Sequence, residues 1–189
     1  MSTSSTNTTT ATNVIPGRPT WAQSMLRISD PVKSVKHYQN VYGMTLLDEI
    51  DFPQYNFKLF FLTSLPTGGD KGLAKPGSEE AHANLWKYEG VTLELTYNYN
   101  SDGSAAPSPH PGNMEKDGFG HIAFNTNDVY EVCGEMVNNG IQFKKLPDEG
   151  RMKGLAFAYD EDKYWVEIIK RSEVHKIANR FNLSQTMIR

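Results

Sequence analysis

The amino-acid sequence predicts an α+β protein built from two consecutive βαβββ modules. Three observations support this prediction: strand-like alternation of apolar residues, two helical segments with start and stop signals, and the return of the same order of elements later in the chain. The spacing also repeats, since Gln23 to Gly43 spans 20 residues and His121 to Gly140 spans 19. We therefore expect an internal duplication.

The first module is predicted to begin with a strand from Gln23 to Ile28. Asp30-Pro31 then provides an N-cap and a proline suited to the first position of a helix, and Gly43 provides the stop. A segment rich in Gly, Pro and charge, residues 63–84, is predicted to be a loop before the last strand. The remaining strands of this module are predicted at Met44–Ile50, Phe57–Leu62 and Val91–Tyr97.

The second module repeats this order from His121. A strand through Asn125 is followed by Asp128 with Glu131 three residues later, which is typical of a capping box, and Gly140 ends the helix. Its remaining strands are predicted at Ile141–Lys145, Leu155–Tyr159 and Tyr164–Ile169.

The chain is thus predicted to have five segments. The N-terminal arm is expected to be disordered or extended, because its first 13 residues are almost entirely Ser, Thr, Asn and Ala. The segments are an arm at 1–20, a first module at 21–100, a linker at 101–117, a second module at 118–171 and a C-terminal helical tail at 172–189.

Composition excludes several classes of function. A net charge of −3 and a pI near 5.9 provide no basic surface for nucleic acid. No apolar run approaches the roughly 18 residues that a membrane span requires. The single cysteine, Cys133, fits a reducing compartment, and the N-terminus lacks the apolar core of a signal peptide, so we expect a cytoplasmic protein.

Two glutamates lie at equivalent places in the last strand of each module. Glu94 and Glu167 each sit mid-strand, on the opposite face from their apolar neighbours. Burial of an ionised carboxylate is costly unless it is paired or binds a cation. The equivalent placement therefore indicates one shared partner.

The first strands supply two further candidate ligands, because Gln23 and His121 open them at matching positions. Together the four residues form a nitrogen and oxygen donor set suited to zinc, nickel or cobalt. Taken singly, each is more often a surface or core residue than a ligand, but the joint pattern favours a metal site. The other histidines are predicted to be surface residues: His37, His82, His110 and His175.

Several ordered motifs between about Trp21 and Lys170 extend this picture. They are Gln23-Ser24-Met25-Leu26-Arg27, Tyr42-Gly43-Met44-Thr45-Leu46, Asp51-Phe52-Pro53, Thr92-Leu93-Glu94-Leu95-Thr96, Gly118-Phe119-Gly120-His121-Ile122, Gly150-Arg151-Met152-Lys153-Gly154 and Tyr164-Trp165-Val166-Glu167-Ile168. On these residues the sequence resembles glyoxalase I of the eukaryotic kind, within the vicinal oxygen chelate superfamily.

The resemblance implies half-barrel sheets and a metal-dependent lyase that isomerises the methylglyoxal–glutathione hemithioacetal to S-D-lactoylglutathione through an enediolate. Glutathione would be the co-substrate. The metal would be held by the four candidate ligands, with zinc favoured over nickel and cobalt. Glu167 would be the principal catalytic base, assisted by Glu94. The resemblance also implies a homodimer in which Gln23 and Glu94 of one chain meet His121 and Glu167 of the other.

The resemblance further assigns substrate contacts. Arg27 and Asn98 would bind the γ-glutamyl carboxylate of glutathione. Lys145 and the backbone near Arg151 and Met152 would bind the glycyl end. Phe52, Leu59 and Phe61 match positions that line the methyl pocket, although they are equally well explained as core residues.

One departure from the family pattern concerns the residue before Gly118. The family usually has an arginine there, whereas this chain has Asp117. The neighbouring Lys116 is predicted to replace the missing cation.

Two alternatives stay open on sequence grounds. A ring-cleaving dioxygenase of the same superfamily would need two histidines and one carboxylate, and Gln23 stands where a histidine would be required. A non-catalytic small-molecule binding protein would use the same scaffold without chemistry. Retention of both Glu94 and Glu167 disfavours the second alternative.

Overall fold

The computed structural model describes residues 21–113 and 118–174 and confirms the predicted α+β fold of two βαβββ modules. The first module contains β1 (Gln23–Ile28), α1 (Pro31–Tyr42), β2 (Thr45–Phe52), β3 (Phe57–Thr63), α2 (Glu79–Leu85) and β4 (Thr92–Asn98). The second contains β5 (His121–Asn125), α3 (Val129–Asn138), β6 (Phe143–Lys145), β7 (Ala156–Tyr159) and β8 (Trp165–Ile169). The predicted arm at 1–20, and residues 114–117 and 175–189, lie outside the described residues.

Each module forms one four-stranded sheet with the same topology. The strand orders are β1-β4-β3-β2 and β5-β8-β7-β6. In both sheets the first strand runs parallel to the last, and the other pairs are antiparallel. The matching topologies support an internal duplication.

The predicted N-caps are present. The Asp30 carboxylate accepts a hydrogen bond from the Lys33 backbone N–H at 3.1 Å, and Gly43 ends α1 with a φ of +64°. The Asp128 carboxylate accepts from the backbone N–H groups of Tyr130 and Glu131 at 2.9 and 3.0 Å. The second half of the predicted capping box is not formed, because the Asp128 N–H donates to the Thr126 hydroxyl at 3.2 Å and not to Glu131. These caps satisfy N–H groups that a helix terminus otherwise leaves unpaired.

One face of each sheet packs into the core. Leu93 and Leu95 of β4, and Val166 and Ile168 of β8, are buried there. The cores of the two modules meet at Tyr42 and Phe124, whose rings stack with centroids 4.3 Å apart. Among the described residues, no helix combines the length and apolar character needed to cross a membrane.

The prediction of a loop over residues 63–84 was wrong in its last part, because α2 begins at Glu79. The Ser78 side chain caps this helix by accepting from the Ala81 backbone N–H at 3.1 Å. Ala81 and Leu85 are buried. A helix of seven residues is too short to show a clear period in the sequence, which is why the pattern did not reveal it.

The prediction of a surface position was wrong for His37, which is buried, and His82 is only partly exposed. His37 on α1 is 7% exposed, and its Nδ1 lies 3.4 Å from the Glu161 carboxylate. His82 on α2 bonds through Nδ1 to the fully buried Asp48 carboxylate at 2.6 Å. His110 is exposed as predicted, and His175 lies outside the described residues.

The loop before β8 of the second module is hydrogen-bonded to the first module. The Asp162 carboxylate accepts from the Ser29 backbone N–H at 3.1 Å, and the Asp160 carboxylate accepts from the Tyr38 hydroxyl at 2.8 Å. Burial raises the pKa of Asp160 from its ordinary value of 3.8 to about 6. These contacts orient the two modules relative to each other.

The raised pKa of Asp160 predicts a pH-dependent stability. The folded state binds the proton of the Asp160 carboxyl more tightly than the unfolded state does. The stabilisation that this proton provides is therefore complete below about pH 4 and is lost as pH rises through about 6. The free energy of unfolding of the wild type, relative to Asp160→Asn, should therefore fall by up to ~1.4 kcal/mol per pH unit over this window. Chemical denaturation at several pH values measures the difference, and a pH-independent difference would contradict the assignment.

Candidate functional site

The first pair of candidate metal ligands, called here the first donor pair, is Gln23 and Glu94. It lies on the face of the first sheet opposite the one that packs against α1. Gln23 opens β1, and Glu94 is the third residue of the neighbouring β4. The Gln23 amide Nε2 donates to the Glu94 carboxylate, which also accepts from the Thr96 hydroxyl at 2.9 Å. Rotation of the amide would present its oxygen to a cation instead.

The second donor pair, His121 and Glu167, has the same placement in the second sheet. His121 opens β5, and Glu167 is the third residue of the neighbouring β8. His121 Nε2 lies 3.4 Å from a Glu167 carboxylate oxygen. The side chain of His121 is 41% exposed, whereas that of Glu167 is 16% exposed. The imidazole is therefore accessible, and the carboxylate beside it is largely shielded from water.

The two pairs do not meet within one chain. Among residues 21–113 and 118–174, no three His, Cys, Asp or Glu side chains come together as a metal-binding group. Glu94 thus does not join His121 and Glu167 in the same chain. A tetrahedral ion needs about four ligands, and each pair offers two. A divalent ion would therefore have four ligands only where Gln23 and Glu94 face a second pair, His121 and Glu167.

Both open faces carry exposed or partly exposed apolar side chains beside the donors. Met25, next to Glu94 in the sheet register, is 39% exposed. On the second sheet, the partly buried rings of Phe157 and Trp165 lie 5.7 Å apart, and Phe157 also contacts His121 at 5.2 Å. Apolar surface around a polar site is typical of a surface that another molecule covers.

The residues predicted to bind the γ-glutamyl carboxylate lie together. Arg27 is exposed and follows Gln23 by four residues along β1, so both point to the same face. Asn98 ends the neighbouring β4 on the same face as Glu94. The two side chains therefore stand at one end of the open face, and the first donor pair stands nearer the other end.

The residues predicted to line the methyl pocket also share this face. Phe61 lies opposite Glu94 in the antiparallel register of β3 and β4, and Leu59 lies opposite Thr96. Phe52 ends β2, where its ring contacts Phe57 at 4.9 Å. The structure brings all three to the open face, although Phe61 is only 3% exposed.

The residues predicted to contact the glycyl end lie in and beside the β6–β7 loop. The Lys145 ammonium donates to the backbone carbonyls of Leu155 and Leu146 at 2.6 and 3.3 Å, and burial lowers its pKa. Lys145 therefore braces this loop. Arg151 and Met152 are exposed on it. The prediction for Lys116, together with Asp117, lies outside the described residues.

Sequence reasoning missed a cavity of about 670 Å³ that adjoins Gln23. Trp21, Phe61, Trp86 and Tyr88 line it, with the Trp86 ring edge-on to Phe61 at 6.2 Å. The density of aromatic residues around position 86 was the available signal. It was overlooked because the preceding segment was interpreted as a loop.

A family model, the Glyoxalase/Bleomycin resistance protein/Dioxygenase superfamily, matches residues 20–168. The chain belongs to this superfamily. It is 37% identical over 169 residues to lactoylglutathione lyase of Schizosaccharomyces pombe, covering 88% of this chain and 53% of that one. It is 37% identical over 149 residues to lactoylglutathione lyase of Pseudomonas aeruginosa, covering 79% of this chain and 81% of that one.

The superfamily fold is also seen in a solved relative. The crystal structure of glyoxalase I from Zea mays matches with a TM-score of 0.54 and 28% identity, covering 79% of this chain and 44% of that one. The chain spans about half the length of the fission yeast and maize relatives. The resemblance to glyoxalase I that the motifs indicated is confirmed.

Because one ion would need both donor pairs, loss of either glutamate should release it. We expect Glu94→Ala and Glu167→Ala each to lower the zinc retained per chain to less than half of the wild-type amount after dialysis. Elemental analysis of the dialysed protein measures this, with Glu135→Ala on the exposed face of α3 as the matched control. Full retention in one glutamate variant and loss in the other would show that the pairs do not share an ion.

Proposed function

We propose that this superfamily member is a lactoylglutathione lyase, a glyoxalase I that converts the hemithioacetal of methylglyoxal and glutathione into S-D-lactoylglutathione. The observation that carries the proposal is the equivalent placement of a donor pair on the open face of each sheet. The 37% identity to two proteins named lactoylglutathione lyase supports it. Only His121 among the four donors is a histidine, so the two-histidine set of a ring-cleaving dioxygenase is not provided.

The proposed reaction moves one proton from C1 to C2 of the hemithioacetal through an enediolate and involves no net oxidation. Glu167 is the proposed base that removes the proton and returns it to the neighbouring carbon. Its strand neighbours Val166 and Ile168 are buried, so its backbone is held firmly in the sheet. A bound divalent ion would act as a Lewis acid that stabilises the negative charge developing on the substrate oxygens.

The open face also offers a binding path for glutathione. Arg27 lies four residues from Gln23, about 13 Å along the strand at ~3.3 Å per residue. A tripeptide can bridge such a distance. The exposed Arg27 guanidinium would bind the γ-glutamyl carboxylate at one end, where a charge-assisted pair gives orientation as well as affinity, and Asn98 would add a second contact.

We further propose that the active site is shared in a homodimer. The first donor pair of one chain would face the second donor pair of the other, since the two pairs do not meet within one chain. The exposed Met25 on the first face and the partly buried Phe157 and Trp165 on the second would be covered by this assembly. Isologous pairing would then create two equivalent sites per dimer.

The identity of the ion and the compartment are part of the same proposal. Zinc is proposed over nickel and cobalt on family resemblance, since the ligand types alone fit all three ions. A reducing, cytoplasmic location is proposed because the only cysteine, Cys133, is buried and unpaired.

The base assignment predicts a separation of activity from metal binding. Glu167→Gln should lower kcat by at least ~100-fold, because the base is lost, while the amide oxygen keeps a ligand for the ion. Thioester formation from methylglyoxal and glutathione, together with elemental analysis of bound zinc, measures both effects. A near-wild-type rate in the zinc-loaded variant would rule out Glu167 as the base.

The shared site predicts complementation between inactive chains. One chain carries Gln23→Ala with Glu94→Ala, and the other carries His121→Ala with Glu167→Ala. In an equal mixture about half of the dimers are mixed, and each mixed dimer has one intact site, so activity should recover to about one quarter of wild type. Mixed dimers can be purified with two affinity tags. Tagged mixed dimers without activity would show that the site is not shared.

A further inference from the structure

The segment that precedes β5 carries a candidate metal ligand at its end. Gly118, Phe119 and Gly120 form this segment and lead directly into His121, the first residue of β5. β5 is an edge strand, and β8 is its one strand neighbour in the described second sheet. Two glycines in three residues give the backbone before His121 a large conformational freedom. The position of His121 therefore depends on contacts from outside the sheet.

The side chain of Asn113, near the end of the predicted linker 101–117, provides such a contact. Its amide nitrogen Nδ2 donates to the backbone carbonyl of Phe119 at 3.1 Å and also to that of Gly120. An asparagine amide has two N–H donors, so one side chain can serve both carbonyls. The two carbonyls belong to the peptide groups between Phe119 and His121. The double hydrogen bond, called here the Asn113 clamp, sets the orientation of both groups.

The backbone of Gly112 brings Asn113 close to this segment. Gly112 is buried and has a φ of +88°, a conformation that L side chains rarely adopt. A Cβ atom there would lie 2.9 Å from the Phe119 Cα and closer still to the Phe119 backbone nitrogen and oxygen. The Gly112 N–H donates to His110 Nδ1 at 3.0 Å, which holds the turn. The close approach thus requires glycine.

The ring of Phe119 gives the segment a second anchor. It contacts the ring of Tyr164 edge-on, with centroids 5.9 Å apart, and Tyr164 is buried in the core. This contact holds one side chain, whereas the rotations of the backbone between Phe119 and His121 stay free. The Asn113 clamp acts on those rotations.

The clamp matters because the imidazole that follows it must be placed accurately. His121 Nε2 lies 3.4 Å from the Glu167 carboxylate, and the His121 ring contacts Phe157 at 5.2 Å. Ligands of a metal site must be held within about 0.5 Å of their productive geometry. An imidazole that is already held beside its partner ligand also loses less conformational entropy when an ion binds.

We propose that Gly112 and Asn113 are positioning residues for His121. The glycine lets the linker approach, and the amide clamps the two peptide groups before the ligand, so that the imidazole is held beside Glu167 before an ion binds. The inference rests on the proposed metal site of the lyase. It gives the linker a role in the site, in addition to joining the two modules.

Zinc affinity tests the clamp with a variant of nearly equal size. Asn113→Asp keeps the shape of the side chain but replaces the N–H donors by a carboxylate oxygen that faces two carbonyl oxygens. We expect the Kd for zinc to rise at least ~tenfold, within the range that loss of a contact supporting a metal ligand typically causes. Competition with a chromophoric chelator measures the Kd. A wild-type Kd in Asn113→Asp would overturn the proposal.

An asparagine elsewhere in the second module provides the matched control. Asn139 Nδ2 donates to the Glu135 carbonyl at 2.8 Å, at the end of α3. Asn139→Asp removes a hydrogen bond of the same kind but lies away from the open face, so the Kd for zinc should not change. An equal loss of affinity in Asn139→Asp and Asn113→Asp would show general destabilisation and would overturn the positioning role.

The close approach at Gly112 has its own pair of variants. Gly112→Ala must displace the Phe119 backbone, so we expect the Kd for zinc to rise as it does in Asn113→Asp. Gly134→Ala on α3 is the control, because a Cβ atom there meets nothing within 4 Å. Should Gly112→Ala fail to fold, the two asparagine variants decide the question.

Backbone mobility tests the clamp without zinc. The heteronuclear NOE of the backbone amides of Phe119, Gly120 and His121 reports motion on the picosecond to nanosecond timescale. In the zinc-free protein we expect lower NOE values at these three residues in Asn113→Asp than in wild type, with no change at Asn125 at the other end of β5. Identical values in the variant and the wild type would contradict the clamp.

The outcomes separate this inference from the proposed function. Turnover with wild-type zinc affinity in Asn113→Asp would leave the lyase function standing and overturn the clamp. If the wild type binds no zinc, the proposed metal site is wrong, and the NOE comparison decides the clamp alone. Lower values in Asn113→Asp would then support a clamp on His121, and unchanged values would overturn it.

Discussion

The arrangement of this protein depends on the free-energy cost of removing water from an ionised carboxylate on the open face of a sheet. Strand alternation sends Glu94 and Glu167 away from their buried neighbours and toward the open faces. A carboxylate in such a place needs a positive partner when water is removed. Duplication of one module provides two such faces, each with a second donor beside its glutamate.

This constraint links the fold to the proposed site. The core holds each carboxylate on a central strand between two paired neighbours. The loop carrying Asp160 and Asp162 orients the two modules, and with them the two open faces. The Asp48–His82 contact holds α2 beside one face only, because α2 interrupts the first module and has no counterpart among the described residues 118–174 of the second. The duplication thus supplies the donors, and the departure from symmetry supplies the cavity.

Much of the fold and the face carrying each donor could be predicted from the sequence, because alternation, caps and spacing are local signals. The predicted strand that begins at His121 and the predicted helix that Asp128 caps are both present in the structure. The burial of His37 and Asp48 could not be predicted, since it depends on contacts between distant segments. The separation of the two donor pairs was left open for the same reason, because module pairing is a tertiary property.

In the proposed dimer, one metal ion joins the open faces of two chains. A crystal structure of the zinc-loaded protein, with anomalous diffraction measured at the zinc edge, would locate this ion. We expect one anomalous peak per site, between Gln23 and Glu94 of one chain and His121 and Glu167 of another. A peak bound by all four side chains of one chain, or bound away from them, would contradict it.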